Sequence, residues 1–232
     1  MPNSKSARTY ITLIALAGAA TLTMGLQHPG LNDLAGFVAL LVVAVITSRL
    51  KVKLPGMKAN MSVSLPFLLL ASAQMQLLPT LMIAAAATVA QSVNFKSAVK
   101  PVQMLFNLST VLLAIGLAYG VQHQAGFANA HGVLLLLLGA AAYLVTNTVL
   151  VAGIVSLTSD QGMNQAWSSI FALTYLYYVL SAGMAAVVLG FGIRWSVMAL
   201  TLLVVYGAYR SFQMYFLAMS SLMAPQMASA GD

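Results

Sequence analysis

Between Met61 and Ile193 the only charged side chains are Lys96, Lys100 and Asp160. A water-soluble fold cannot leave so long a stretch uncharged, because its surface needs polar groups to face solvent. Charged residues make up 6% of this chain, against roughly 25% in a soluble domain. With 61% hydrophobic residues and a mean hydropathy of +0.93, the surrounding solvent is lipid. A bilayer span takes about 20 apolar residues, so eight spans would use about 160 of the 232 and leave no room for a separate soluble domain.

The net charge of +7 does not indicate nucleic acid, whose recognition needs clustered basic residues on a solvated face. Here the ten Lys and Arg residues are divided among segment ends. The absence of Cys excludes disulfides, thiolate metal sites and Cys nucleophiles. Lys5 and Arg8 ahead of an apolar run containing Ala17, Gly18 and Ala19 have the form of a signal peptide. Because that run continues to Leu26 and further spans follow, it reads as an uncleaved first span.

Hydropathy and helix breakers predict an all-α polytopic bundle of about eight spans, six at the least. The segments are Tyr10 to Leu26, Leu34 to Ser48, Met61 to Met75, Leu77 to Val93, Val102 to Val121, Val133 to Leu157, Phe171 to Gly192 and Trp195 to Tyr209. Pro66 interrupts the third and Pro79 starts the fourth, so this pair forms either two spans in a tight hairpin or two broken half-helices. With the N-terminus inside, every cation except Arg194 falls on the cytoplasmic side: Lys5, Arg8, Arg49, Lys51, Lys53, Lys58, Lys96, Lys100 and Arg210. Both termini are therefore expected in the cytoplasm. Residues 1–9 form an N-terminal tail, residues 10–210 one membrane domain, and residues 211–232 a helical extension and disordered tail.

No carboxylate, Lys or His lies within a span, which removes an intramembrane proton relay, a retinal Schiff base and a haem ligand. Enzymatic activity and a cofactor are not expected. The spans instead carry neutral polar residues at helical spacing. Gln103, Asn107 and Thr110 repeat at i, i+4 and i+7; Tyr143 and Asn147 at i and i+4; Thr174, Tyr178 and Ser181 again at i, i+4 and i+7. Two readings are open. The stripes are interhelical hydrogen-bonding contacts, or they line one apolar-walled pocket for a small neutral or amphipathic ligand. His28, His123 and His131 fall in loops on the outer side with Asp33, a candidate zinc, copper or pH-sensing set, although solvated loop histidines are the simpler account. Met219, Met223 and Met227 recur every four residues, a spacing that thioether ligands to copper(I) would use and that lipid-tolerant filler also shows. Asn107, Leu108 and Ser109 match a glycosylation sequon inside a predicted span, where that modification is not expected.

Three stretches carry a family resemblance: Met61 to Gln74 (MSVSLPFLLLASAQ), Leu105 to Ala114 (LFNLSTVLLA) and Val145 to Leu157 (VTNTVLVAGIVSL). They resemble the multi-span N-terminal membrane domain, MASE-like in kind, that precedes HD-GYP or GGDEF domains in bacterial signalling proteins. Tyr209 to Tyr215 (YRSFQMY) is similar to the helix that leaves that domain for the cytoplasm. The resemblance implies a sensory or ligand-binding module of the bacterial inner membrane, with Asn107 and Asn147 at its characteristic polar positions. The sequence ends at Asp232 without the family's output enzyme, so signalling is expected to pass through a cytoplasmic or membrane protein partner. A solute transporter or vitamin-type importer subunit, and a structural subunit of a membrane complex, are the alternatives.

Overall fold

A computed structural model of the chain describes residues 5–27, 29–53, 60–93, 101–124, 132–159, 161–191 and 206–207. Seven helices lie within these residues: α1 (Lys5–Leu26), α2 (Leu34–Ser48), α3 (Leu65–Gln74), α4 (Leu77–Ser92), α5 (Pro101–Gln122), α6 (Gly132–Thr158) and α7 (Met163–Phe191). The non-helical regular structure is a short antiparallel ribbon, β1 (Lys51–Lys53) with β2 (Asn60–Ser62), in which Lys51 faces Ser62. The expected span Trp195 to Tyr209 lies outside the described residues except for positions 206–207, as does the tail 211–232.

Four helices, α1, α5, α6 and α7, are long and apolar enough to cross a bilayer. At 1.5 Å per residue their 22 to 29 residues extend about 33 to 44 Å, against a hydrocarbon core of about 30 Å. Apolar side chains such as Leu13, Leu16 and Met24 on α1 and Leu176, Val179 and Leu180 on α7 point out of the bundle, where lipid covers them. The protein is a multi-pass membrane protein in contact with the bilayer. α7 begins at Met163 rather than Phe171, because Asn164, Gln165, Ser168 and Ser169 end the apolar run without preventing the helix.

The third expected span is corrected most. Only 10 residues of Met61 to Met75 are helical, about 15 Å or half a bilayer. Pro66 explains the boundary: lacking an N–H and clashing with a preceding turn, it belongs in the first turn of a helix, which is where it sits. Residues 60–62 upstream are strand. Leu65, Phe67, Leu68, Leu69, Leu70 and Ala71 are all buried, so α3 is covered on every side, by α2, α4, α5, α6 and α7. Its far end turns into α4 through the extended residues Met75 and Gln76. The buried Thr80 hydroxyl donates to the Ala71 carbonyl at 3.0 Å, tying the first turn of α4 to the last turn of α3.

Small residues set the remaining helix approaches. A Cβ on Gly18 would lie 2.8 Å from Ser109 Cβ, and one on Gly116 would lie 2.6 Å from Thr21 Cγ2, so α1 and α5 run side by side in the same direction. Gly25 near the end of α1 meets Leu78 and Leu81 near the start of α4. Gly153 of α6 leaves room for the Tyr10 ring, whose hydroxyl donates to the Leu150 carbonyl at 3.0 Å.

Candidate functional site

Among the described residues, the most extensive set of side-chain polar and aromatic contacts joins α6, α7 and the ribbon. Asn147 Nδ2 donates to the Tyr178 hydroxyl oxygen at 2.7 Å, across antiparallel helices. Tyr178 is buried, and its ring sits between Tyr143 at 5.9 Å and Tyr177 at 5.6 Å, tilted on one and edge-on to the other. Tyr177 in turn donates its hydroxyl to the Ser62 carbonyl. Ser62 also shares a hydroxyl contact of 3.0 Å with Ser64, the residue that precedes α3.

The depth of this network is its unusual feature. Tyr177 is midway along α7, so the Ser62 carbonyl of the non-helical ribbon lies at the middle of a membrane-spanning helix. Irregular backbone is tolerated at that depth only where protein or a cavity covers it, since an unpaired peptide group in hydrocarbon costs several kcal/mol. Here protein supplies the partners. Ser62 pairs with Lys51 in the ribbon and accepts from Tyr177, and the Val63 N–H donates to the Leu50 carbonyl at 3.3 Å.

Residues 20–215 match the sequence model of MASE9, one of the membrane-associated sensor domain families. The chain belongs to the MASE9 family. No curated protein and no solved structure matches it. The matched stretch takes in every helix described above except the first 15 of the 22 residues of α1, and the whole of the α6, α7 and ribbon network.

Within this MASE9 domain the three polar stripes are treated unequally. Thr174, Tyr178 and Ser181 are all buried on the inward face of α7, and the Thr174 hydroxyl is taken up by the Ile170 carbonyl of its own helix at 2.8 Å. Tyr143 is buried and Asn147 half-buried, both meeting Tyr178. On α5 the stripe splits: Gln103 and Asn107 are exposed, whereas Thr110 is buried with no hydrogen-bond partner among the described residues. The α5 stripe therefore does not join the other two as one lining. Of the histidines, His28 and His131 lie outside the described residues. His123 stacks on Tyr119 at 4.0 Å and contacts its carbonyl at 3.0 Å, and no group of three metal-ligating side chains is found among the described residues. Met219, Met223 and Met227 also lie outside them.

Two participants in the network, and one buried polar group outside it, escape a sequence reading. Tyr177 is one residue from Tyr178, about 100° around the helix, so a search for i, i+4 and i+7 partners passes over it. The Ser62 carbonyl is a backbone group and leaves no residue-type signal, although the alternation of Ser62, Val63 and Ser64 before Pro66 is compatible with an extended run. Gln122 is buried against Gly139 with both amide atoms unpartnered among the described residues. Its only sequence signal is a polar side chain at the end of an apolar run.

Proposed function

We propose that this MASE9 domain is a non-catalytic sensory module of a bacterial inner membrane, with both termini in the cytoplasm, which recognises a small neutral or amphipathic ligand and signals through a cytoplasmic partner. The carrying observation is a pair of hydrogen bonds, Asn147 to Tyr178 and Tyr177 to the Ser62 carbonyl, joined by the edge-on contact of the adjacent Tyr177 and Tyr178 rings. It links the α6–α7 pair to the ribbon and so to the central α3, so that a shift of α7 against the bundle would reach the strand that carries Lys51 and Lys53. A polar contact between packed helices is the kind of element that a bound ligand or partner can bias. The family membership supports sensing; the hydrogen bonds support α6 and α7 as the moving pair.

The absence of Cys makes the test direct. Spin labels at Thr9→Cys and Gln161→Cys, both at exposed sites near the basic end, report the separation of α1 from the α6–α7 turn in lipid nanodiscs. Asn147→Leu should broaden or shift that distance distribution. Purification in native lipid followed by mass spectrometry should retain a small molecule or a stoichiometric protein. An unchanged distribution together with no retained species overturns the sensory reading.

A transporter reading draws on one observation, the half-length α3 with extended backbone on either side, since broken helices in transporters surround substrate sites. Solute uptake by vesicles containing the protein alone would favour it; retention of a signalling partner would not.

A further inference from the structure

The end of the bundle that holds the α1–α2 loop and the α3–α4 link contains a cavity of about 100 Å³ bounded by those two segments. Its polar lining is Asn32, Asp33, Gln74 and Gln76. One Asp33 oxygen accepts from the Gly36 N–H at 2.9 Å and caps α2. Gln76 is held by Tyr119, whose hydroxyl donates to its side-chain oxygen at 3.4 Å. Among the described residues Asp33 is the one carboxylate, and no Lys or Arg among them lines the cavity. Lys5 and Arg8 lie at the start of α1, and Arg49, Lys51 and Lys53 follow the end of α2, all away from the α1–α2 loop.

We propose that this cavity is a binding site for a primary ammonium group, with Asp33 as its counter-ion. The argument is one of charge and size. A carboxylate whose partner among the described residues is a single neutral N–H keeps most of its acceptor capacity, and the side-chain amides of Asn32, Gln74 and Gln76 add polar groups to the lining without adding a cation. The volume corresponds to roughly three waters at about 30 Å³ each, the scale of an ethanolammonium ion. Because Asp33 is exposed, a single contact is weak and the affinity for a free amine is on the order of millimolar. The same ammonium chemistry is presented by a soluble small amine and by a phosphatidylethanolamine headgroup, which is concentrated at the bilayer surface. This site is separate from the Asn147–Tyr178 network and does not depend on how that network is used.

Asp33→Asn is the informative variant, because Asn is an equally good helix N-cap and only the charge is lost. In nanodiscs of phosphatidylcholine and phosphatidylglycerol, the full chain is titrated with ethanolamine hydrochloride at constant ionic strength, with ethylene glycol as the neutral analogue. Wild type should saturate in the millimolar range, Asp33→Asn should bind at least five-fold more weakly, and ethylene glycol should not bind. In a second arm, nanodiscs containing phosphatidylethanolamine are examined by native mass spectrometry for lipid retained on the protein. Enrichment of phosphatidylethanolamine on wild type but not on Asp33→Asn assigns the headgroup. Free-amine binding without that enrichment assigns a soluble ligand. Gly30→Leu checks the geometry independently: a Cβ there lies 3.2 Å from Gln76 Cγ, so the larger side chain fills the cavity while leaving the carboxylate in place, and it too should abolish binding. Equal ethanolammonium binding by wild type and Asp33→Asn, or no ammonium binding in either arm, overturns the proposal.

Discussion

The hydrogen bond between Asn147 and Tyr178 can be isolated by a double-mutant cycle. Tyr178→Phe removes the hydroxyl but keeps the ring, so the packing against Tyr143 at 5.9 Å and Tyr177 at 5.6 Å survives. Asn147→Leu removes the amide and keeps similar volume. Each single change deletes the same 2.7 Å contact and leaves its partner in a low-dielectric setting, Tyr178 being 5% exposed. A cost of about 1 to 3 kcal/mol is expected for each. Interhelical hydrogen bonds in membrane proteins average about 0.6 kcal/mol of coupling and reach about 1.7. This one is short, mostly buried and supported by flanking rings, so the upper half of that range, about 1 to 1.7 kcal/mol, is expected. Reversible unfolding in mixed micelles of the wild type, both single variants and the double variant gives the coupling directly. A coupling within about 0.3 kcal/mol of zero, the usual additivity error, would refute the claim that this bond locks α6 to α7.

Other changes probe the packing around that lock. Gly18→Ala should destabilise by about 1 to 3 kcal/mol, because its Cβ would meet Ser109 Cα at 2.9 Å and backbone cannot step aside; Gly120→Ala, with nothing within 4 Å, should be neutral or slightly stabilising in the same unfolding assay. Thr80→Val should cost about 1 kcal/mol and speed hydrogen exchange at the α3–α4 link, since it deletes the buried bond to the Ala71 carbonyl. Gln122→Leu should raise the thermal midpoint, because it replaces an amide buried without partners by an apolar side chain of similar size; a lower midpoint would mean that the amide is satisfied by a bound molecule or by residues outside those described.

Several helices are legible in the amino-acid sequence alone. α2 has the same bounds, Leu34 and Ser48, in hydropathy and in the fold, and α1, α4, α5 and α6 differ from expectation by five residues or fewer at either end. The reason is that lipid removes the alternatives: in hydrocarbon, every peptide group of an isolated apolar run must bond within its own segment, so the run becomes a helix. α3 departs from that rule because it is not isolated. Buried by five other helices, it can be short and be preceded by strand, since the ribbon and Tyr177 supply the hydrogen bonds that lipid would not. Pro66 marked the interruption but could not say which of the two forms it would take.

The candidate site divides along the same line. Helical spacing put Thr174, Tyr178 and Ser181 on one face of α7 and Tyr143 with Asn147 on one face of α6, and this much follows from 3.6 residues per turn. Whether two faces meet is not a property of either helix. That Asn147 finds Tyr178, that Gln103 and Asn107 stay exposed, and that Asp33 comes to share a cavity with Gln76 are decided by which helices the packing of small residues brings together. Composition and charge pattern thus determined the solvent, the helices and the scarcity of ionisable chemistry. Tertiary structure decided which neutral groups face one another, because side-chain hydrogen bonds depend on ångström-scale approach between segments far apart in the chain.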